Sequence, residues 1–312
     1  MYSIKTLNSI SPVYQDALPD AEYAVSADCE NPDAILVRSA NMHGMDVNAN
    51  LLCVARAGAG VNNLPLDDFA RRGIVAFNTP GANANAVKEL VIAGLLLDGI
   101  AWCRSLTDGE TSIEKQVEAG KKQFAGPELM GKTLGVVGLG AIGVQVANTG
   151  AALGMDVLGY DPFISVEHAW KLSRAVQHAP TLEEIFEKSD YITVHVPLMD
   201  STRDLIDAAA LRQMKPSAAL LNFSRDGLVN DEAVKAALEA DKLRVYVTDF
   251  PCKALIGVKN VLLTPHLGAS TPESEDNCVR MAARQVNNYL KYGSIENSVN
   301  YPNCKLSPNA IP

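Results

Sequence analysis

From residue 132 onwards, short apolar segments of the chain alternate with stretches whose apolar residues are spaced as on one face of a helix. Such short apolar segments are typical of strands buried on both faces of a parallel sheet. We predict strands at Ala34–Val37, Leu51–Val54, Ile74–Phe77, Thr133–Val137, Asp156–Tyr160, Tyr191–Val196, Ala219–Phe223, Leu243–Thr248 and Val261–Thr264. The alternation predicts an α/β fold with a doubly wound parallel sheet over residues 132–270.

Capping residues mark several helix starts. Thr181 and Glu184 have the spacing of a capping box, Asn230 can cap a following helix, and Thr271-Pro272 opens the last long helix. We predict helices at Ala84–Cys103, Ala141–Leu153, Leu182–Lys188, Ala208–Met214, Asp231–Ala240 and Thr271–Lys291.

The length of the chain, 312 residues, suggests two domains. We expect residues 96–279 to form a nucleotide-binding domain of the Rossmann type. The sequence pattern of residues 1–95 predicts a second, smaller α/β unit. The last helix is expected to cross back to this unit. Residues 280–312 would therefore complete this smaller domain.

Three glycines follow the strand at residue 133 and form the pattern G-x-G-x-x-G. Gly138 permits a sharp turn, Gly140 permits close approach to a pyrophosphate, and Gly143 permits close packing of helix on strand. The helix N-terminus then offers N–H groups to the anion. Asp161 ends the next strand, where it can accept hydrogen bonds from a ribose and repel a 2′-phosphate, which favours NAD over NADP. The alternative is that the glycines serve only a turn.

The net charge of −9 argues against nucleic-acid or membrane-surface binding. The cysteines lack C-x-x-C spacing and no signal peptide is evident, which predicts reduced thiols in a cytoplasmic protein. The longest apolar run is too broken to span a bilayer. No His, Cys and Asp cluster has metal-ligand spacing.

Polar residues lie just past several predicted strands, and the carboxyl ends of parallel strands meet at one edge of a sheet. Arg225 could bind a carboxylate with its guanidinium fork, and His266 could exchange a proton near neutral pH. Asp249 could orient a nicotinamide carboxamide. The alternative for His266 is a hydrogen bond within its loop.

The first part of the chain has similar features. Arg38 and Arg56 follow predicted strands, and a glycine-rich turn that could hold a small anion follows Arg56. The alternative for each arginine is an ordinary surface charge.

These motifs together resemble the D-isomer-specific 2-hydroxyacid dehydrogenases, in the family's order and over nearly the whole chain. The matching segments are Arg56–Asn62, Asn78–Pro80, Gly138–Gly143, His195–Pro197, Asn222–Arg225 and Thr264–Ser270. The resemblance implies a Rossmann NAD-binding domain with a smaller flavodoxin-like substrate domain.

The resemblance also implies roles for individual residues. Arg225 would bind the substrate carboxylate and His266 would be the proton donor and acceptor. The NAD site would comprise Gly138, Gly140, Ala141, Ile142, Gly143, Asp161, Phe223, Ser224, Asp249, Gly268 and Ala269. Substrate contacts would come from Arg38, Arg56, Gly58, Ala59 and Lys253.

The chain departs from the family pattern at three places. Asp226 stands between Arg225 and Gly227, and Phe250 follows Asp249 directly. The family's glutamate that pairs with the catalytic histidine is missing, and the nearest equivalent is Lys253. Either another carboxylate reaches His266, or the histidine works without one while Lys253 attracts a substrate phosphate.

Within the family, the segments Ile35–Ala40 and Glu296–Pro302 resemble the members that oxidise 3-phospho-D-glycerate to 3-phosphohydroxypyruvate on the route to serine. The resemblance implies a short form without a regulatory domain, and the long apolar helix suggests a homodimer. The alternatives are the same chemistry on glyoxylate, hydroxypyruvate or D-lactate, or a non-catalytic NAD(H)-sensing protein.

Overall fold

The computed structural model describes residues 1–96, 115–116, 128–268 and 270–304. Its strands are β1 Tyr2–Leu7, β2 Tyr23–Ser26, β3 Ala34–Val37, β4 Cys53–Arg56, β5 Val75–Phe77, β6 Thr133–Val137, β7 Asp156–Tyr160, β8 Gln177–His178, β9 Tyr191–Val194, β10 Ala219–Asn222, β11 Val245–Thr248 and β12 Val261–Leu263. Its α-helices are α1 Leu66–Arg71, α2 Ala84–Leu96, α3 Ala141–Ala152, α4 Val166–Lys171, α5 Leu182–Lys188, α6 Ala208–Gln213, α7 Asp231–Glu239 and α8 Pro272–Tyr292, with a 3-10 helix at Pro12–Asp16.

The chain divides into two compact units. Met1–Ala86 with Ala269–Pro312 form the first unit, and Val87–Gly268 form the second. Packing therefore places the boundaries at Val87, inside α2, and at Ala269, whereas the sequence pattern places them at residues 96 and 280. The assignment of a substrate role to the first unit stays a prediction.

The first unit contains a five-stranded sheet in the order β2-β1-β3-β4-β5. Each described pair of neighbouring strands runs parallel. This is the strand order of flavodoxin-like folds, with a reversal between β1 and β3. The expected flavodoxin-like architecture is confirmed.

Helix α8 packs its apolar stripe on β3 and β4 of this sheet. Thr271 caps the helix by accepting a hydrogen bond from the Ser274 N–H over 3.1 Å, and Gly293 ends it in the left-handed conformation. The stripe comprises Cys278, Val279, Ala282, Ala283, Val286 and Leu290. The last helix thus completes the first unit, as its sequence predicted.

The second unit contains a seven-stranded sheet in the order β12-β11-β10-β9-β6-β7-β8. Its described strand pairs are also parallel. Helices cover both faces, so β6, β9, β10 and β11 are almost wholly buried. The order reverses between β6 and β9, and in doubly wound sheets ligands bind outside the carboxyl ends of the strands at such a reversal.

Most element boundaries agree with the sequence pattern to within two residues, and the doubly wound α/β fold is confirmed. Strand β4 begins at Cys53 rather than Leu51, because its pairing with β3 begins at Ala34 and Cys53. The predicted helix from residue 84 is present as far as Leu96, and its predicted remainder lies outside the described residues. Strands β1, β2 and β8 and helices α1 and α4 were not individually predicted.

Candidate active site

The glycine-rich turn lies between β6 and α3, at the point where the strand order reverses. Gly138 has a φ of +91°, which favours glycine. A Cβ at Gly143 would lie 1.9 Å from the Gly138 carbonyl oxygen, whereas a Cβ at Gly140 would meet no atom within 4 Å. Gly138 and Gly143 are therefore required by the turn and the helix packing, and the open space over Gly140 leaves room for a ligand.

Helix α3 begins directly at this turn. Gly140 is its N-cap, with no side chain to satisfy the first N–H groups, and Ala141 and Ile142 form its first turn. N–H groups at a helix start bind anions well, because the helix dipole adds to their hydrogen bonds. The turn therefore fits the pyrophosphate of a dinucleotide.

Asp161 follows β7 and supports the turn. Its Oδ2 accepts a hydrogen bond from the Leu139 N–H over 2.8 Å, and its Oδ1 accepts one from the Phe163 N–H over 2.9 Å. Each carboxylate oxygen has a further lone pair, so both could also accept from ribose hydroxyls. The acid predicted to select NAD thus also holds the main chain between the first two glycines.

Arg225 lies in a loop after β10 that Asn222 organises. Asn222 Nδ2 donates to the Arg225 carbonyl over 3.0 Å, and its Oδ1 accepts from the Ser224 N–H over 3.1 Å. The Ser224 hydroxyl donates to the Val196 carbonyl over 2.9 Å. The Arg225 side chain is exposed, which suits a ligand-binding group, while the Phe223 side chain is buried in the core. Any contact of Phe223 with a cofactor would therefore come from its main chain.

Asp249 and His266 follow β11 and β12, which are neighbours in the sheet. Asp249 is only 2% exposed, and its burial raises the pKa of its carboxyl group, while the positive charges of His266 and Arg225 oppose that rise. The exposed imidazole of His266 lies edge to face with the Phe250 ring, with centroids 5.0 Å apart. Arg225, Asp249 and His266, far apart in sequence, thus follow three neighbouring strands, β10, β11 and β12, at one edge of the sheet.

Gly268 is buried beside Asp249. A Cβ built there would lie 3.1 Å from Val87 Cγ2 and 3.8 Å from Asp249 Oδ2.

Of the other predicted site residues in this region, Ala269 lies outside the described residues. Lys253 is exposed on the loop after β11.

Arg38 follows β3 and Arg56 is the last residue of β4, and these two strands are neighbours in the sheet. Arg56 Nε donates to the Arg38 carbonyl over 3.0 Å, and Arg38 forms an ion pair with Glu275. A Cβ at Gly58 would lie 1.9 Å from Arg56 Nη1, and Gly58 has a φ of +150°, so only glycine fits there. The Gly58 and Ala59 carbonyls accept from the Thr79 N–H and the Asn78 side chain over 3.1 and 2.8 Å.

His195 lies beside the glycine turn but is bound to its own strand. Its Nε2 is 3.0 Å from the Thr193 hydroxyl, and burial lowers the pKa of its imidazole to about 4. The ring is therefore neutral at physiological pH.

Among the described residues, no group of three or more His, Cys, Asp or Glu side chains is arranged to hold a metal ion. None of the described helices combines the length and apolar character needed to cross a membrane.

Sequence reasoning missed three supporting residues: Leu139, Asn222 and Phe250. Asn222 had a detectable signal, because a buried asparagine at a strand end needs hydrogen-bond partners. Leu139 acts through its main chain, and the contact of Phe250 with His266 has no local signature.

Comparison with known proteins agrees with this geometry. Residues 96–268 match the family model described as D-isomer specific 2-hydroxyacid dehydrogenase, NAD binding domain. The chain therefore belongs to the D-isomer specific 2-hydroxyacid dehydrogenase family, and the cofactor that its turn predicts, NAD, is the one this domain binds.

Among curated relatives, D-3-phosphoglycerate dehydrogenase of Synechocystis is 36% identical over 288 residues, which is 89% of this chain and 50% of that protein. The enzyme of that name from Methanocaldococcus jannaschii is 37% identical over 88% of this chain and 53% of that protein. The chain thus spans about half the length of these relatives.

Among solved structures, NAD-bound 3-phosphoglycerate dehydrogenase of Entamoeba histolytica has a TM-score of 0.74 at 25% identity, covering 96% of this chain and 99% of that one. Holo D-mandelate dehydrogenase of Rhodotorula graminis has a TM-score of 0.77 at 25% identity, covering 92% and 94%.

Proposed function

We propose that this protein catalyses the NAD-dependent oxidation of 3-phospho-D-glycerate to 3-phosphohydroxypyruvate, the first step towards serine. The observation that carries the proposal is that Arg225, Asp249 and His266 follow the neighbouring strands β10, β11 and β12 at one sheet edge. This arrangement supports a carboxylate-binding role for Arg225 and a proton-accepting role for His266, the two groups that oxidation of a hydroxy acid requires. The relatives named D-3-phosphoglycerate dehydrogenase support this choice of substrate.

The proposed reaction divides its tasks among these groups. The Arg225 guanidinium binds the substrate carboxylate and so fixes the carbon that bears the hydroxyl group. The His266 imidazole takes the hydroxyl proton as the alcohol becomes a ketone. Bound NAD supplies the hydride acceptor. The glycine turn and Asp161 would hold its pyrophosphate and ribose.

The substrate phosphate requires a further cation, and Arg38, Arg56, Lys88 and Lys253 are the candidates. The Arg56 side chain lies against Gly58, in the glycine-rich turn that is predicted to contact the substrate. Arg38 is paired with Glu275, so a phosphate would have to replace that carboxylate. Lys88 lies 3.6 Å from the Glu89 carboxylate.

The pairing of Arg38 favours a second candidate, the same chemistry on an unphosphorylated acid such as glyoxylate, hydroxypyruvate or D-lactate. A non-catalytic NAD(H) sensor is a third candidate function, and the presence of both Arg225 and His266 argues against it.

We further propose that the protein is a cytoplasmic homodimer. The described cysteines are free thiols, which supports a cytoplasmic location. Leu96 on α2 is 63% exposed in the single chain, which supports burial of this helix in a dimer interface.

A substrate panel tests the proposal. Initial rates of oxidation would be measured with NAD and NADP on 3-phospho-D-glycerate, D-lactate and D-glycerate, and initial rates of reduction with NADH and NADPH on 3-phosphohydroxypyruvate, hydroxypyruvate and glyoxylate. We expect the highest kcat/KM in each direction for the phosphorylated substrate with NAD or NADH. A higher value for an unphosphorylated acid would favour the second candidate, and NAD binding without any turnover would favour the sensor.

A further inference from the structure

The loop after β3 carries Arg38 and is held by side chains from two other segments of the first unit. Asn8, directly after β1, accepts hydrogen bonds through its Oδ1 from the Ser39 N–H over 3.0 Å and from the Ala40 N–H over 2.7 Å. The Asn63 side chain donates to the Ala40 carbonyl over 2.8 Å. The main chain that presents Arg38 is therefore fixed in place.

Arg38 follows the strand at which the order of the five-stranded sheet reverses. The reversal lies between β1 and β3, and ligands of doubly wound sheets bind outside the carboxyl ends of the strands at such a point. Arg56 brings a second guanidinium to this edge, since its Nε donates to the Arg38 carbonyl over 3.0 Å. Two guanidinium groups at a sheet edge favour an anionic ligand.

Glu275 lies in the first turn of α8 and forms an ion pair with Arg38. The two side chains are 38% and 29% exposed, so a solute can reach both of them. The turn is tied to the segment after β1, because Ser11 Oγ donates to Asp276 Oδ1 over 2.6 Å. The helix dipole also favours an acid at this end of α8. Glu275 is thus placed to compete with an external anion for Arg38.

The competition between Glu275 and a phosphate group is close in energy. An ion pair as exposed as this one adds little stability, so a phosphate with two negative charges can replace the carboxylate at Arg38. The carboxylate nevertheless opposes that replacement, because it occupies the guanidinium and repels a second anion nearby.

We propose that Glu275 is a specificity-determining residue, which lowers the affinity of the protein for phosphorylated acids relative to unphosphorylated ones. A phosphate group that binds Arg38 displaces the Glu275 carboxylate, whereas an acid without a phosphate group leaves the ion pair intact. This role in specificity rests on the proposed function. The exchange of Glu275 for an anion at Arg38 does not depend on it.

Inorganic phosphate is the probe for the exchange, added to the whole chain without NAD or substrate at constant ionic strength. The Nε–H resonance of Arg38 would report binding by NMR in the wild type, in Glu275→Gln and in Glu273→Gln. Glu273 is the matched control, because it is the other acid in the first turn of α8 and is exposed.

We expect the Kd for phosphate to fall about three- to tenfold in Glu275→Gln and to stay at the wild-type value in Glu273→Gln. Equal Kd values in Glu275→Gln and wild type would overturn the proposal. A lack of any response of Arg38 to phosphate in Glu275→Gln would overturn it as well.

A second measurement uses the wild type alone and does not depend on the folding of a variant. As phosphate is added, the side-chain carboxyl carbon of Glu275 should shift with the same midpoint as the Nε–H resonance of Arg38. A Glu275 signal that stays constant while the Arg38 signal moves would contradict displacement of this carboxylate.

The role in specificity is tested by the kcat/KM for 3-phospho-D-glycerate divided by the kcat/KM for D-glycerate. We expect this ratio to rise about three- to tenfold in Glu275→Gln, through a lower KM for the phosphorylated acid, and to stay unchanged in Glu273→Gln. Loss of a merely structural ion pair would affect both substrates alike. A ratio in Glu275→Gln equal to that of the wild type would therefore exclude the role in specificity.

The exchange at Arg38 and the proposed function can fail separately. If the affinity for phosphate rises in Glu275→Gln but no form of the protein oxidises any 2-hydroxy acid, the exchange stands and the proposed function fails. If the wild type oxidises 3-phospho-D-glycerate but Glu275→Gln changes neither the Kd nor the ratio, the proposed function stands and the role of Glu275 is wrong.

Discussion

The main-chain N–H of Leu139 donates a hydrogen bond to Oδ2 of Asp161 over 2.8 Å. This bond joins the middle of the glycine turn to the end of the neighbouring strand β7. One carboxylate therefore supports the glycine turn, and the same carboxylate is the group that we propose accepts hydrogen bonds from the ribose. Cofactor affinity and local rigidity are expected to depend on the same side chain.

Replacing Asp161 should weaken NAD binding. Asp161→Ala removes the acceptor for Leu139 and for the ribose hydroxyls, and charge-assisted hydrogen bonds contribute about 1.5–3 kcal/mol. We expect the Kd for NAD, measured by isothermal titration calorimetry, to rise about 10- to 150-fold, and the preference for NAD over NADP to shrink. Asp156→Ala, at the exposed start of β7, is the control. An Asp161→Ala protein that binds NAD as tightly as wild type would exclude the ribose contact.

The glycines of the turn should respond differently to alanine. In Gly143→Ala the new Cβ would lie 1.9 Å from the Gly138 carbonyl oxygen, so the backbone must shift, at a cost of about 1–3 kcal/mol. In Gly140→Ala the new methyl group meets open space. We expect Gly143→Ala to lower Tm, and Gly140→Ala to keep Tm while raising the Kd for NAD at least about tenfold. Equal Kd values for Gly140→Ala and wild type would mean that the pyrophosphate does not approach this glycine.

Asp231 should destabilise the protein when it is ionised. Burial raises its pKa, and the nearby carboxylates of Asp226, Glu232 and Asp204 raise it further, while a hydrogen bond from the Cys252 thiol opposes the rise. A carboxyl group whose pKa is raised by folding contributes stability below its unfolded pKa and loses it as the pH rises through the folded pKa.

Asp231→Asn should therefore stabilise the protein at pH 7 and have little effect near pH 4. We expect Tm, measured by differential scanning calorimetry, to rise by about 2–4 °C at neutral pH. Glu187→Gln, on an exposed position of α5, is the matched control and should leave Tm unchanged at both pH values. A lower Tm for Asp231→Asn at pH 7 would show that the ionised carboxylate is favourable instead.

Features encoded in contiguous sequence were predictable. The turn at Gly138–Gly143, strand β7 and Asp161 follow one another along the chain, and each has a residue pattern with a direct structural cause. Strand β1 was not recognised because only Ile4 is fully buried in it, so its apolar pattern is weak. Strand β8 consists of two exposed residues, Gln177 and His178, and has no apolar signal at all.

The packing of the Phe250 ring against His266 could not be predicted in the same way. Parallel pairing of strands implies that Asp249 and His266 approach each other, because β11 and β12 end at the same edge. Which groups touch depends on side-chain directions that no local pattern encodes. The contact of Phe250 with His266 and the bond between Cys252 and Asp231 both depend on the path of the loop after β11.

The most direct test of the account is the rate of NADH formation from 3-phospho-D-glycerate in wild type, His266→Ala and Arg225→Gln, with NAD affinity measured in each. We predict that His266→Ala lowers kcat about 10²- to 10⁴-fold, as expected when a general base is lost, and that Arg225→Gln strongly lowers kcat/KM, while both keep the wild-type Kd for NAD. If His266→Ala formed NADH at the wild-type rate, the central claim that this imidazole takes the hydroxyl proton would be wrong.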